Sequence, residues 1–230
     1  MDYGKSFTFP FKDQDWLMKL IVGGVFVLLS GILVGIPFVL GYAIEVIRNV
    51  IAGNDEVLPA WDNLGEKFMQ GLILALILLV LALPAILVQA CSSVGLGALA
   101  SNGSEGVSTL AGLLMLLVYL VVALYSLIIG VASPAIYLRY TMTRQFGASL
   151  QPAAIWAVIR ANIGQYILVL IVGYGAMIVA SFGSILCVIG VFVTVFWAYL
   201  VQAHLLGQYY RNFVTPGSAS MAGPAAPAAF

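Results

Sequence analysis

ANIGQYILVLIVGYGAMIVASFGSILCVIGVFVTVFWAYLVQAHLLGQYY, residues 161–210, is a run of 50 residues without one Asp, Glu, Lys or Arg. A membrane helix needs about 20 predominantly apolar residues, so this run is too long for one crossing. Phe182-Gly183-Ser184 supplies a tight turn near its middle. The reading is therefore two crossings, about Gly164–Ser181 and onward to about Gly207.

The same pattern extends toward the N-terminus. Gly106–Leu138, Phe68–Gly103 and Leu20–Ile44 also lack charge. Of the 230 residues 63% are hydrophobic and 8% charged, and the mean hydropathy is +1.09. Soluble domains carry roughly 45–50% apolar and about 25% charged residues. The runs do not alternate as barrel strands do, and backbone groups in lipid must then be satisfied within helices. The fold class is all-α: a polytopic integral membrane helical bundle of about five crossings, or four plus a re-entrant hairpin, with interfacial amphipathic helices. One helical membrane domain covers residues 1–214, and residues 215–230, almost all Ala, Pro, Gly and Ser, form a disordered tail.

The second crossing is expected over Phe68–Ala90 with Pro84 inside it, followed by a small-residue loop from Cys91 to Gly106. The third is expected over Thr109–Leu138, before a polar connection between Arg139 and Arg160. Leu20–Ile44 is harder to read. Its 25 residues would make a helix of about 38 Å, enough for one tilted crossing. Gly31, Gly35 and Pro37 sit in its middle, where two short arms would meet as a re-entrant hairpin. Lys and Arg gather on the cytoplasmic side of membrane proteins. A hairpin puts all nine basic residues on one face, whereas a single crossing separates Lys5, Lys12 and Lys19 from the rest. The charge pattern favours the hairpin, with both termini cytoplasmic.

Three segments share a Pro, a Trp, a polar patch and then a Gly that opens an apolar run: Pro10…Trp16…Gly23, Pro59…Trp61…Gly71 and Pro152…Trp156…Gly164. Each separates apolar from polar residues at helical spacing, as helices lying in the headgroup plane do. Trp16, Trp61 and Trp156 are the expected interfacial anchors.

The stretches Asp15-Trp16-Leu17-Met18-Lys19, Gly23-Gly24, Pro37…Gly41-Tyr42…Arg48, Leu58-Pro59-Ala60-Trp61-Asp62, Phe68…Gly71-Leu72 and Gln202-Ala203-His204-Leu205-Leu206-Gly207-Gln208-Tyr209 form one ordered set from Phe7 to Phe213. In these the chain resembles an uncharacterised prokaryotic membrane family, domain of unknown function 4013. The resemblance implies a multi-spanning membrane protein, in the cell membrane of a prokaryote. It implies no activity and assigns no catalytic residue.

Other patterns have plainer readings. Gly95-Leu-Gly97-Ala-Leu-Ala100 has the G-x-G-x-x-A form but follows a membrane helix where a dinucleotide site needs a strand. Asn102-Gly-Ser104 has the form of a glycosylation acceptor and reads as a turn. Glu45 and Arg48, three apart on one helix face, form a candidate polar contact near the end of the first unit. Gln202 and His204, with Gln208, form a second, suited to hydrogen bonding between helices. Gly31/Gly35 and Ser126/Gly130 have the small-xxx-small spacing of closely packed helices. Cys91 and Cys187 are too few for a metal framework and are expected at similar depth on the far side. No HExxH, GxSxG, CxxC or Walker A sequence occurs. No catalytic residue, cofactor or metal is called for.

The formal net charge is zero, and without a basic stripe nucleic acid is not an expected partner. The expected partners are membrane lipid and a membrane protein, or a second copy of the chain. Three functions compete: a non-enzymatic module that organises lipid or a partner; a transporter or channel for an apolar or lipid-like cargo, which a broken first segment would suit; and, ranked last, an enzyme.

Overall fold

The charge-free run at 20–44 does not form one helix. The computed structural model describes residues 1–54, 58–185 and 188–214. In it, helix α2 (Trp16–Leu29) ends in a short 3-10 turn, Ser30–Ile32, and α3 (Gly35–Ile51) folds back along it. Leu33 takes the left-handed conformation at φ 66° to close the turn. Gly35 is required there, because a Cβ would overlap the Phe26 carbonyl oxygen. Phe26 and Phe38 stack across the two arms at 4.5 Å. The arms have 14 and 17 residues, about 21 and 26 Å as helices. The run is a helical hairpin.

Ahead of it lie α1 (Tyr3–Thr8) and a 3-10 turn, Phe9–Lys12. Behind it come α4 (Leu64–Asn102), α5 (Glu105–Thr143), the single turn α6 (Phe146–Ser149), α7 (Pro152–Ala161), α8 (Ile163–Ser181) and α9 (Val188–Tyr209), which ends in a π-helical turn, Tyr210–Val214. No strand occurs among the described residues. By length and composition four helices, α4, α5, α8 and α9, can cross a membrane. The number becomes five if the segments Tyr3–Lys12 and Trp16–Ile32, bent by 102°, count as one span. Cys187 and the tail from Thr215, both singled out in the sequence, lie outside the described residues.

Two expectations are corrected. The stretch from Cys91 to Asn102 is helix rather than loop, and α4 runs unbroken for 39 residues. Its small polar side chains close on their own backbone: Ser92 Oγ donates to the Val88 carbonyl at 2.6 Å and Ser93 Oγ to the Ala90 carbonyl at 2.9 Å. The residues around Trp61 are not an in-plane helix. They are irregular until α4 starts at Leu64, and Leu58 and Pro59 are buried.

The chain divides into two compact units, one formed by residues 1–75 with the described residues from 135 onward, the other by residues 76–134. In the first, α3 and α9 are the most enclosed helices. Tyr42, Ile44 and Ile47 of α3 and Ala198, Leu200, Val201 and Leu205 of α9 are fully buried. Ala176 and Ala180 of α8 are buried too, and Thr194 of α9 donates to the Ala180 carbonyl at 2.8 Å. At the end of α9 the buried Tyr209 hydroxyl donates to the Val158 carbonyl of α7 at 2.7 Å. Asn162 caps α8 by accepting from the Gln165 N–H at 3.1 Å.

The second unit consists of the later part of α4 and the earlier part of α5, joined at Gly103-Ser104. Tyr125 of α5 donates to the Leu81 carbonyl of α4 at 2.7 Å. Most large apolar side chains of this unit are exposed, among them Leu113, Leu116, Leu120, Leu124 and Ile128.

Candidate functional site

Helices α3 and α4 touch backbone to backbone. A Cβ at Gly41 would overlap the Lys67 carbonyl, and one at Gly71 would overlap the Pro37 carbonyl. Side chains cannot fill such a crossing, so the next turn outward opens into a cleft of about 110 Å³. Glu45 and Arg48 reach it from α3, and Glu66, Lys67 and Gln70 from the first turns of α4.

The cleft is charged but ordered. Lys67 is 4% exposed. Its ammonium meets Glu45 Oε2 at 2.7 Å, Asp62 Oδ1 at 3.1 Å and the Asp62 carbonyl at 2.8 Å. Arg48 Nη1 donates to Gln70 Oε1 at 2.7 Å, while Nε and Nη2 both approach the Thr141 carbonyl at 3.4 Å. Gln70 in turn donates to Glu66 Oε1, and Glu66 lies 3.9 Å from Arg144.

A second polar cluster fastens the loop that carries Trp61. Asp13 Oδ2 accepts from Lys19 Nζ at 2.7 Å and from the Leu58 N–H at 3.1 Å, and its Oδ1 accepts from the Asp15 N–H at 2.9 Å. Lys19 also donates to the Leu58 carbonyl at 2.9 Å, and Trp61 Nε1 donates to the Lys19 carbonyl at 3.0 Å. Burial pushes the Asp13 carboxyl up, but the Lys19 ammonium and the two backbone donors outweigh it and hold the group below its ordinary 3.8. The indole then stacks on Tyr42 at 4.4 Å and Phe26 at 4.9 Å. Tyr42 OH donates to the Pro59 carbonyl at 2.8 Å.

The third cluster fastens α1 to α9. Ser6 Oγ lies 2.9 Å from His204 Nδ1 and Gln208 Nε2 lies 3.0 Å from it. Gln208 also accepts from the Asp2 N–H at 2.8 Å and donates to the Asp2 carbonyl at 3.0 Å. His204 is fully buried and stacks on Phe9 at 4.3 Å.

The residues singled out in the sequence thus go to different places. Glu45 and Arg48 share the cleft. His204 is in the α1–α9 cluster, whereas Gln202 packs toward Gly173 of α8. Gly35 is tightly packed, but Gly31 has nothing within 4 Å of a Cβ built on it, because the chain reverses there and the residue points away from both arms. Ser126 is exposed on α5 and Gly130 half-buried. Trp156 is 56% exposed on α7 and Trp16 is half-buried against Phe11 at 5.1 Å. Trp61 differs from the other two in that its ring packs into the aromatic core, on Tyr42 and Phe26.

Sequence reasoning missed Lys67, Gln70 and Asp13. The signal for Gln70 was its spacing of four from Glu66, which puts both on one helix face. Asp13 and Lys67 gave no local signal, since their partners come from distant segments. No group of His, Cys, Asp and Glu able to hold a metal occurs among the described residues. Cys91 is exposed and free.

A family model described as protein of unknown function (DUF4013) matches residues 20–189. The match is narrower than the span from Phe7 to Phe213 over which the motifs resemble that family, so the segments at Asp15–Lys19 and Gln202–Tyr209 lie beyond it. No curated protein and no solved structure matches the chain significantly.

Proposed function

We propose, from the premise that this chain belongs to the DUF4013 family of proteins of unknown function, that it is a non-enzymatic membrane module that organises lipid or a membrane protein partner. The supporting observation is the unit formed by residues 76–134. Along the most apolar stretch of α5 none of the residues is buried (0%), against 50% in that of α9. A helix that is apolar all round and uncovered by its own chain calls for lipid or another protein around it. The buried polar groups of the other unit hold α1 on α9 and Trp61 on α2, and fastening of this kind supports a non-enzymatic reading.

The module sits, on this reading, in the cell membrane of a prokaryote with both termini cytoplasmic, because the far loops lack Lys and Arg. Single cysteines labelled with an impermeant reagent, in a background without Cys91 and Cys187, test the orientation. Position 104 should label from outside, and positions 62 and 151 should not. Ser149 is buried and unsuited to labelling, whereas Gln151 is exposed.

A second reading, a transporter of apolar or lipid-like cargo, draws on the break between α2 and α3, since transporters place sites at discontinuous helices. Purification in mild detergent, with identification of what remains bound, separates the two. A stoichiometric lipid or protein supports the module. Lipid transfer between leaflets in vesicles containing the purified protein supports transport. A protein that stays stable after complete delipidation and has no partner contradicts the module.

A further inference from the structure

The charged cleft at the α3–α4 crossing carries a ligand assignment that rests on the lipid-organising reading and goes beyond it. Its two cations are not equivalent. Lys67 has three N–H donors and meets three acceptors within 3.1 Å. It is spent on Glu45 and Asp62. Arg48 has five donors. One goes to Gln70, and two go to a carbonyl at the long distance of 3.4 Å. Among the described residues no carboxylate lies within ion-pairing distance of Arg48, and a guanidinium so placed matches the oxygens of a phosphate or carboxylate.

The carboxylates face the opposite need. Glu45 and Glu66 are 36% and 58% exposed, and each keeps acceptor capacity beyond its present bonds. A simple anion in the cleft would meet both carboxylates, and a simple cation would meet Arg48 and Lys67. A molecule with both signs close together satisfies both sets. The cleft's 110 Å³ is below the roughly 300–1,000 Å³ of pockets that enclose a whole ligand, so it takes one polar group of a larger molecule. It opens beside the later turns of α3 and the first turns of α4, just ahead of the apolar run that starts at Phe68; if α4 crosses a bilayer, the start of that run is the level of the headgroups.

We propose that this cleft binds a zwitterionic ammonium–phosphodiester headgroup of the ethanolamine type, with the phosphate on Arg48 and Gln70 and the ammonium on Glu66 and Glu45. The primary ammonium matters, because its N–H groups donate to carboxylates, whereas a choline headgroup has none to donate.

The test compares phosphatidylethanolamine, phosphatidylcholine and phosphatidylglycerol of identical acyl chains, each returned to the delipidated protein. Retained lipid is read by native mass spectrometry and stability by thermal unfolding. Preference for the ethanolamine lipid over both others is expected. Arg48→Gln and Glu66→Gln should each cut that preference about tenfold, the loss of one charge-assisted hydrogen bond. Glu66 is exposed enough that E66Q should fold even if R48Q does not. Equal retention of the choline lipid, stronger retention of the glycerol lipid, or an undiminished ethanolamine preference in folded E66Q overturns the assignment. Soluble glycerophosphoethanolamine, added as competitor, identifies the source. Displacement of the lipid means that the headgroup alone is recognised, and no displacement means that the membrane lipid is required. If lipid is retained without headgroup preference, this assignment fails while the module reading stands. If no lipid is retained at all, the module reading loses its lipid arm as well.

Discussion

Helices α3 and α5 are both strongly apolar, yet they face different surroundings. Eleven of the 17 residues of α3 are buried by the protein itself. Along the most apolar stretch of α5 none is. Hydropathy measures only that water is absent, so it cannot tell a helix wrapped in protein from one wrapped in lipid. The difference shows in the small residues. In α3 and its neighbour α4, glycines stand where backbones touch. In α5, Gly112 has nothing within 4 Å of a Cβ built on it. Length differs too: α5 has 39 residues, about 58 Å as a helix, well beyond a hydrocarbon core of roughly 30 Å.

The largest effect that would break this comparison is at the α3–α4 crossing. Gly41→Leu or Gly71→Leu must push two backbones apart, and each should destabilise by about 3 kcal/mol or more, the upper end for overpacking. Gly112→Leu should change stability by less than about 0.5 kcal/mol, as substitutions away from packed features do. Denaturant unfolding in detergent micelles measures both. Equal effects at positions 41 and 112 would mean that α5 is as closely covered as α3.

Next comes the buried polar cluster that fastens α1 to α9. Gln208→Ala removes the amide that accepts from Asp2 and donates to its carbonyl, and takes one partner each from buried Ser6 and His204. Losing a buried partner costs about 1–3 kcal/mol. Hydrogen exchange of residues 3–8 should accelerate, while exchange in residues 105–134 should not change. Unaltered exchange in α1 would show that apolar contacts, such as Phe9 on His204, hold it without the amide.

Asp13 gives a pH-dependent version. Its folded carboxyl titrates below its ordinary 3.8, so the unfolded chain binds the proton more readily. The stabilisation is complete above the unfolded value of about 3.9 and disappears as pH falls through the folded one. Melting temperature should therefore drop steeply below pH 4, and Asp13→Asn should flatten that drop. A wild-type profile parallel to that of D13N would remove Asp13 from the acid response.

These fastenings were the least legible part of the sequence. The all-helical class, the turn at Phe182-Gly183-Ser184 and the break at Gly31–Pro37 follow from local composition, and the structure has a 3-10 turn at Phe182–Ile185 and a fold-back at residues 30–34. The length of α4 was misread because Ser92, Ser93, Gly95 and Gly97 have the composition of a loop. In the helix the Ser92 and Ser93 hydroxyls return to its own backbone carbonyls, so nothing forces a break. Trp61 was misread for another reason. Its apolar and polar neighbours fit an in-plane helix, but its indole N–H finds the Lys19 carbonyl 42 residues earlier, and no local pattern encodes that partner. Arg48 and Glu45 were visible through their spacing. Lys67, which completes their cleft, was not, because its role arises only when Gly41 brings α3 onto α4.

The smallest effect sharpens the comparison from the other side. Tyr125 OH donates to the Leu81 carbonyl at 2.7 Å, joining the two helices of residues 76–134 partway along their length. Interhelical bonds in membrane proteins are worth about 0.6 kcal/mol on average, because the separated helices also find partners. Tyr125→Phe keeps the ring and should cost about that much, measured by denaturant unfolding in micelles. The same change at the buried Tyr42 strands the Pro59 carbonyl among aromatic rings, and should cost about 1–3 kcal/mol. If Tyr125→Phe proved the more costly of the two, the hydroxyl of residue 125 would be acting in a dry, enclosed setting, and residues 76–134 would be covered by protein rather than by lipid.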